Sequence, residues 1–248
     1  MPSPVVFITG AAKRIGAELS RFLHRKGYRL ILHYHQSEQA ATVLANELNA
    51  ERPDSVRLLC QDLTRLDELP ELADKVLCCF GRLDGLINNA SSFYATPFGE
   101  GTPAQWQDLM AANAAAPYFL IQSLAPALKA NKGAIVNLVD IHAEKGLRHH
   151  LIYSMAKNAL ATLTRGLAEE LAPEVRINGV APGAILWPAH ALSGEQKQAV
   201  LDSIPMGRLG QPREIAETAA FLLDGPGYLT GQIIALDGGR SSRGLCEA

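Results

Sequence analysis

The sequence predicts an α/β fold, one doubly wound parallel sheet with helices on both faces. Three observations carry that expectation. Apolar runs rich in β-branched residues alternate with longer amphipathic stretches, the pattern of repeated strand–helix units whose strands are buried on both sides. A glycine-bearing turn, Thr9-Gly10-Ala11-Ala12-Lys13-Arg14-Ile15-Gly16, joins the first apolar run to the first amphipathic stretch. The chain has 248 residues, and α/β domains of roughly 200–250 residues are commonly single units. Residues 1–248 are therefore expected to form one domain.

The elements follow in order. Val5–Thr9 is the first strand, Ile15–Lys26 the first helix and Arg29–Tyr34 the second strand. Gln39–Asn49 is helical by its apolar spacing. Ser55–Cys60 returns to the sheet, Leu66–Phe80 is amphipathic, and Gly-Arg-Leu-Asp turns the chain into the apolar strand Leu83–Asn88. A helix near Pro103–Ala114 runs on towards Lys129. Ala134–Leu138 is a strand whose end delivers Asp140, and a helix begins near Tyr153. Arg176–Val180 is the next strand, broken by Pro182-Gly183, and Ile233–Leu236 closes the pattern. After Trp187-Pro188 the helix signals weaken, so approximately 186–205 is expected to be a mobile loop over the substrate.

Composition excludes several function classes. The chain is 48% hydrophobic and 19% charged, with a net charge of −2, which argues against a nucleic-acid-binding face. No run of about 18 apolar residues offers a membrane span. Met1-Pro2-Ser3-Pro4 leads straight into an apolar strand with no basic region before it, so a cytoplasmic location is expected. Cys60, Cys78, Cys79 and Cys246 lack metal-site spacing and read as buried thiols, and the seven histidines are scattered between segments; no metal is expected. Small-molecule chemistry is the class left.

The glycine turn suggests the partner of that chemistry. Glycine after a first strand lets backbone amides approach a phosphate, and the following helix offers its partly positive N-terminus to the anion. Gly10, Lys13, Arg14, Ile15 and Gly16 are thus candidate cofactor contacts, two of them cations. The second strand ends in His33-Tyr34-His35-Gln36-Ser37 with no acidic residue, so the carboxylate that would grip a ribose 2′-hydroxyl is missing. Lys13, His35 and Ser37 can serve a 2′-phosphate instead, which favours NADPH over NADH.

Tyr153 and Lys157, four residues apart, would share a helix face and place an ammonium beside a phenol. Such a pair suits proton transfer. Lys157 is expected to favour the phenolate and ease donation. Asp140, thirteen residues before Tyr153, can hydrogen-bond the tyrosine hydroxyl and relay a proton, best if burial keeps its own pKa raised.

The glycine turn, Asp62-Leu63, Asn88-Asn89-Ala90, Asn113, Tyr153…Lys157 and Pro182-Gly183 together resemble the short-chain dehydrogenase/reductase family over essentially the whole chain. The resemblance implies a Rossmann-type sheet, Asp62 and Leu63 against adenine, and Asn88-Asn89-Ala90 flanking the adenosine and ribose. It implies Asn113 supporting a proton relay, Tyr153 as the acid, Lys157 on the nicotinamide ribose and Pro182-Gly183 bordering the nicotinamide. Two departures narrow it. Arg14 stands where the turn usually has a second glycine, and Asp140 stands at the usual serine. With Thr-Gly-Ala-Ala-Lys-Arg, His-Tyr-His and Asn-Asn-Ala-Ser-Ser-Phe-Tyr they resemble the pteridine reductase subgroup. That resemblance implies Phe93 stacking on a pterin, with Ser91 and Arg14 contacting ligand and cofactor phosphate. Gln36 departs from the subgroup's common arginine, and Leu186-Trp187 from a common serine, which leaves Trp187 as the candidate substrate contact of that loop.

The expected activity is NADPH-dependent reduction of a dihydropterin, dihydrobiopterin-like or dihydrofolate, with Asp140, Tyr153, Lys157 and Asn113 catalytic and Arg14, Ser91, Phe93, Asp140, Tyr153 and Trp187 on the substrate. A carbonyl reductase of the same family and a non-catalytic NADP(H)-sensing regulator are the alternatives. The resemblance also implies pairing of the helices around Ala104–Lys129 and Tyr153–Leu171 in a homotetramer, with the tail Arg240–Gly244 reaching a neighbouring site.

Overall fold

The computed structural model describes residues 3–187 and 192–242. Seven strands form one all-parallel sheet: β1 (Val5–Ile8), β2 (Arg29–Tyr34), β3 (Val56–Cys60), β4 (Gly85–Asn88), β5 (Ala134–Leu138), β6 (Arg176–Pro182) and β7 (Ile233–Leu236). Their spatial order is β3-β2-β1-β4-β5-β6-β7, the expected α/β architecture of Rossmann type. The order reverses between β1 and β4, and in such sheets the crevice beyond the strand ends at that reversal is where ligands bind.

Strand residues alternate between two cores because successive side chains point to opposite faces. Val6 and Ile8 enter one core with Leu19, Leu23, Ile215 and Ala219. Val5 and Phe7 enter the other with Leu72, Val76, Leu120 and Leu124. The first core is closed by α1 (Arg14–Arg25), α2 (Glu38–Glu51) and α9 (Pro212–Asp224), the second by α3 (Leu69–Phe80), α5 (Ala116–Ala130) and α7 (Leu151–Leu171). Each fully buried aliphatic side chain here contributes about 1.5–3 kcal/mol of hydrophobic stabilisation.

Three departures from expectation have local causes. The helix over Pro103–Lys129 is α4 (Pro103–Met110), a widened π-turn at Ala111–Ala115, and α5. Pro117 has no amide to give to the carbonyl four residues earlier, so regular spacing fails at Asn113. Part of the expected 186–205 loop is α8 (Gly194–Asp202), started by a reciprocal Ser193–Gln196 capping box whose S-x-x-Q signature is legible in sequence; residues 188–191 lie outside the described residues. α9, absent from the expected elements, starts with Pro212 in its first turn and a capping box between Gln211 and Glu214.

Cys60 and Cys78 are exposed and Cys79 is half-buried, against the expectation of buried thiols. β3 is an edge strand, so no strand covers the outer side of Cys60, whose thiol donates to the His35 carbonyl at 3.4 Å. Cys246 and the tail beyond Ser242 lie outside the described residues. Among the described residues no helix is long and apolar enough to cross a membrane.

Candidate active site

At the reversal point β1 and β4 are tied together by side chains. Thr9 Oγ1 accepts from the backbone N–H groups of Asn89 and Ala90, both at 3.0 Å. Asn89 Nδ2 donates to the carbonyls of Thr9 and Gly10, both at 2.9 Å. The glycine turn is thereby held open. Gly10 has φ +61°, and a Cβ there would lie 2.9 Å from Ala90 Cα. Gly16 is tighter still, since its Cβ would meet Gly10 O at 2.2 Å. Arg14 adopts φ 54°, the left-handed backbone that glycine adopts freely and other residues reach at a cost of about 1–2 kcal/mol. This is the position where the turn departs from glycine.

His33 supports the turn from below. Its Nδ1 accepts the Gly10 N–H at 3.1 Å and its Nε2 lies 2.9 Å from the Gln61 carbonyl. An N–H can only donate and a carbonyl only accept, so the ring is the neutral Nε2–H tautomer. Burial, opposed by the Gln61 carbonyl, pulls His33 from 6.5 down to about 4. The unfolded chain therefore binds an extra proton between those values, and the stabilisation is complete above pH 6.5 and is lost as pH falls towards 4. The loss is on the order of 3 kcal/mol. Thermal melts of the wild type and His33→Asn across that window should diverge, the wild type falling more steeply; parallel curves would refute the assignment.

A cleft of about 570 Å³ opens over this turn, lined by Gly10, Lys13, His35, Ser37, Asp62 and Thr64 among others. A second of about 520 Å³ adjoins it and shares Ala12, Lys13, Gln36 and Ser37. Both sizes suit a drug-sized or nucleotide ligand. Asp62 Oδ1 is held by the backbone N–H and hydroxyl of Thr64, at 3.0 and 2.7 Å. Leu63, beside Asp62, is 7% exposed and packs its side chain in the core with Leu69 and Phe7. Ile15 likewise packs against the other core.

β4 continues into the second part of the site. Buried Asn88 donates to Asn137 Oδ1 at 2.8 Å, and Asn137 donates to Thr164 Oγ1 of α7 at 2.9 Å. This ladder fixes α7 against the sheet. In the π-turn, fully buried Asn113 donates to the carbonyls of Ser92 and Leu109, each at 2.9 Å, and accepts from Ser91 Oγ at 2.6 Å. Ser91 also stands near the Tyr153 hydroxyl and acts to lower its pKa.

Tyr153, 5% exposed on the first turn of α7, donates from its hydroxyl to Asp140 Oδ2 at 2.9 Å. Asp140 stands two residues beyond β5 and its Oδ1 accepts both the backbone N–H and the ring Nδ1 of His142, each at 2.8 Å. Lys157 Nζ donates to the Leu138 carbonyl at 2.7 Å and lies 5.8 Å from the Tyr153 ring centre. Ile141 N donates to the Pro182 carbonyl at 3.3 Å, which brings the end of β6 beside Asp140. A Cβ on Gly183 would meet Asp237 Cβ at 2.7 Å, so that end approaches closely.

Protonation states here differ from the sequence expectation in two respects. Burial acts to raise the Asp140 pKa, but the His142 ring and backbone donors and the Tyr153 hydroxyl outweigh it, and the carboxyl is held below the ordinary carboxylate value. Asp140 is therefore an ionised acceptor. Burial, then the Asp140 charge, push Tyr153 well above 10, with Ser91 opposing. The expected Lys157 effect does not prevail, because the carboxylate is the charge in contact with the phenol. Burial pulls Lys157 down to about 8, with Asp140 opposing. The site therefore holds a protonated phenol hydrogen-bonded to a carboxylate.

Phe93 is 55% exposed, stands edge-on to Tyr153 at 4.8 Å and stacks on His150 at 4.6 Å with the rings 8° from parallel. His33, His142 and His150 were missed in sequence, though Asp-x-His, an acceptor two residues before a backbone donor, is the turn signal that could have found His142. Trp187 borders the undescribed 188–191 and its ring faces Lys197 at 5.9 Å.

A family model described as enoyl-(acyl carrier protein) reductase matches residues 10–241. An uncharacterized oxidoreductase of Bacillus subtilis is 36% identical over 236 residues, covering 94% of this chain and 96% of the relative. Pteridine reductase 1 of Leishmania tarentolae is 35% identical over 280 residues, covering 96% of each. A 3-oxoacyl-[acyl-carrier-protein] reductase of Staphylococcus aureus is 33% identical over 236 residues, covering 94% of this chain and 96% of the relative.

Proposed function

The chain belongs to the short-chain dehydrogenase/reductase family, and from that premise we propose that it is an NADPH-dependent pteridine reductase that reduces a dihydropterin, dihydrobiopterin-like or dihydrofolate, to the tetrahydro form. As a family member it is an oxidoreductase that works with a nicotinamide dinucleotide. The observation that carries the finer reading is the 2.9 Å hydrogen bond from Tyr153 to Asp140. A carboxylate beside the acid would repel the oxyanion that develops on a reduced ketone. A basic ring nitrogen, which takes a proton and gains no negative charge, is the acceptor that tolerates it.

The bound nicotinamide supplies the hydride. Around it, Gly10 and Gly16 leave room for the backbone to approach the phosphates, Lys13 and Arg14 balance the 2′-phosphate and diphosphate charge, and His35 and Ser37 hydrogen-bond the 2′-phosphate. Asp62, Asn89 and Ala90 line the adenosine side, Pro182-Gly183 the nicotinamide side. Lys157, anchored on Leu138, reaches the ribose. Phe93 offers a flat face for the pterin next to Tyr153, and Ser91, held by Asn113, orients the phenol. Tyr153 gives its proton to the ring nitrogen, and Asp140 keeps that phenol protonated until it does. The likeness to pteridine reductase 1 supports this assignment of roles.

Of the expected substrate loop, the described residues 192–205 cover the substrate, and the apolar residues exposed along α4, α5 and α7, including Trp106, Tyr118, Phe119 and Met155, pair between copies in a homotetramer. The enzyme works in the cytoplasm. Reduction of a 3-oxoacyl substrate is the second reading, supported by the Staphylococcus aureus relative and opposed by Asp140. NADPH oxidation with dihydrobiopterin, dihydrofolate and a panel of ketones separates the two: turnover on ketones alone would sink the pterin reading. Asp140→Ser is expected to lower pterin turnover on the order of 100-fold with NADPH affinity kept. An undiminished rate would remove the role given to the carboxylate.

A further inference from the structure

Tyr153 is 5% exposed, so the proton it delivers must be restored through its neighbours. This question rests on the reading of Tyr153 as donor. Two routes lead away from the phenol. The inward path runs through Ser91 to Asn113, which is fully buried and has its amide donors spent on Leu109 and Ser92; an amide holds its protons and cannot refill the tyrosine. Lys157 is turned onto the Leu138 carbonyl. The outward path runs from Tyr153 to Asp140 Oδ2 at 2.9 Å and from Asp140 Oδ1 to the His142 ring at 2.8 Å.

The His142 side chain is 23% exposed. An ionised carboxylate only accepts, so the ring must present Nδ1–H to it, which leaves Nε2 as the outer atom. Among the described residues Nε2 makes no hydrogen bond. Imidazole is the side chain suited to passing a proton near neutral pH, taking one nitrogen's proton as it releases the other's.

We propose that His142 is the solvent-facing end of a relay, His142–Asp140–Tyr153, that restores the proton Tyr153 gives to substrate. His142 passes its Nδ1 proton to Asp140 Oδ1. The carboxyl turns about its Cβ–Cγ bond and hands that proton to the Tyr153 oxygen, while water supplies a proton at His142 Nε2. Proton exchange with water at the part-exposed ring then restores the Nδ1–H tautomer, the one that can donate to Asp140. One proton enters from water for each one delivered to the substrate nitrogen, and no electrons move within the relay. His142 touches no reacting atom and acts through Asp140, as a positioning and relay residue.

Glutamine and alanine variants separate relay from positioning. His142→Gln keeps an amide donor for Asp140 but cannot pass a proton. Both variants are expected to lose roughly 10-fold to 100-fold in kcat, to keep NADPH affinity, and to show a larger solvent-deuterium effect; added imidazole should restore His142→Ala. A His142→Gln enzyme at the wild-type rate would overturn the relay while leaving the proposed function intact. If the wild type reduces ketones and no pterin, the function reading fails, and the same variants on the ketone decide the relay. A readout independent of turnover is nitrogen-15 NMR of the apoprotein: a protonated His142 Nδ1 is expected, and a bare one would refute the relay.

Discussion

Tyr153→Phe is expected to lower turnover by about 10²–10⁴-fold, the usual contribution of a positioned proton donor. The ring that packs edge-on to Phe93 at 4.8 Å is kept, and only the hydroxyl that bonds Asp140 is lost. Stability should change by only about 1 kcal/mol, since the carboxylate keeps both His142 donors and partial access to water. NADPH affinity should be unchanged, because no cofactor-cleft residue is altered. Paired measurements of kcat, NADPH binding and melting temperature check all three. A residual rate within tenfold of wild type would mean that the proton comes from elsewhere.

Gly16→Ala is expected to do its damage through the fold. Its new Cβ would lie 2.2 Å from Gly10 O and 2.9 Å from both Ala11 Cα and Asn89 Nδ2. Two of those atoms are backbone, and Asn89 is pinned by its bonds to Thr9 and Gly10, so nothing yields cheaply. Overpacking of this kind costs about 3 kcal/mol or more, and the displaced turn should lose NADPH binding as well. Gly166→Ala is the matching control: it lies within α7 with nothing within 4 Å of its Cβ and should raise stability by about 0.5–1 kcal/mol. Denaturant unfolding of the two variants gives the comparison. Equal stabilities would refute the steric account.

The strands were legible because a strand buried on both faces is largely apolar, as Val5–Ile8 is throughout and Ala134–Leu138 is apart from Asn137. The Tyr153–Lys157 spacing and the glycine turn were legible because helix periodicity and left-handed backbone are local properties. α9 was missed although its Pro212 start and capping box are sequence signals. The burial of the Leu63 side chain was not legible, because one apolar residue beside Asp62 can face a cleft or the core, and only the packing of α3 over it decides.

By itself the sequence determined the α/β architecture, the acid-free second strand, and the presence of a carboxylate where the family usually carries serine. What it left open was the charge on that carboxylate. Burial raises its pKa and hydrogen-bond donors lower it, and the balance requires knowing that His142 folds back on Oδ1 while Tyr153 reaches Oδ2. The same holds for the glycine turn, whose amide is held by His33 and whose carbonyls are held by Asn89, some 79 to 80 residues away along the chain. Residue identity and spacing set which groups exist. Protonation and orientation depend on distances between groups remote in sequence, and only the folded chain sets those.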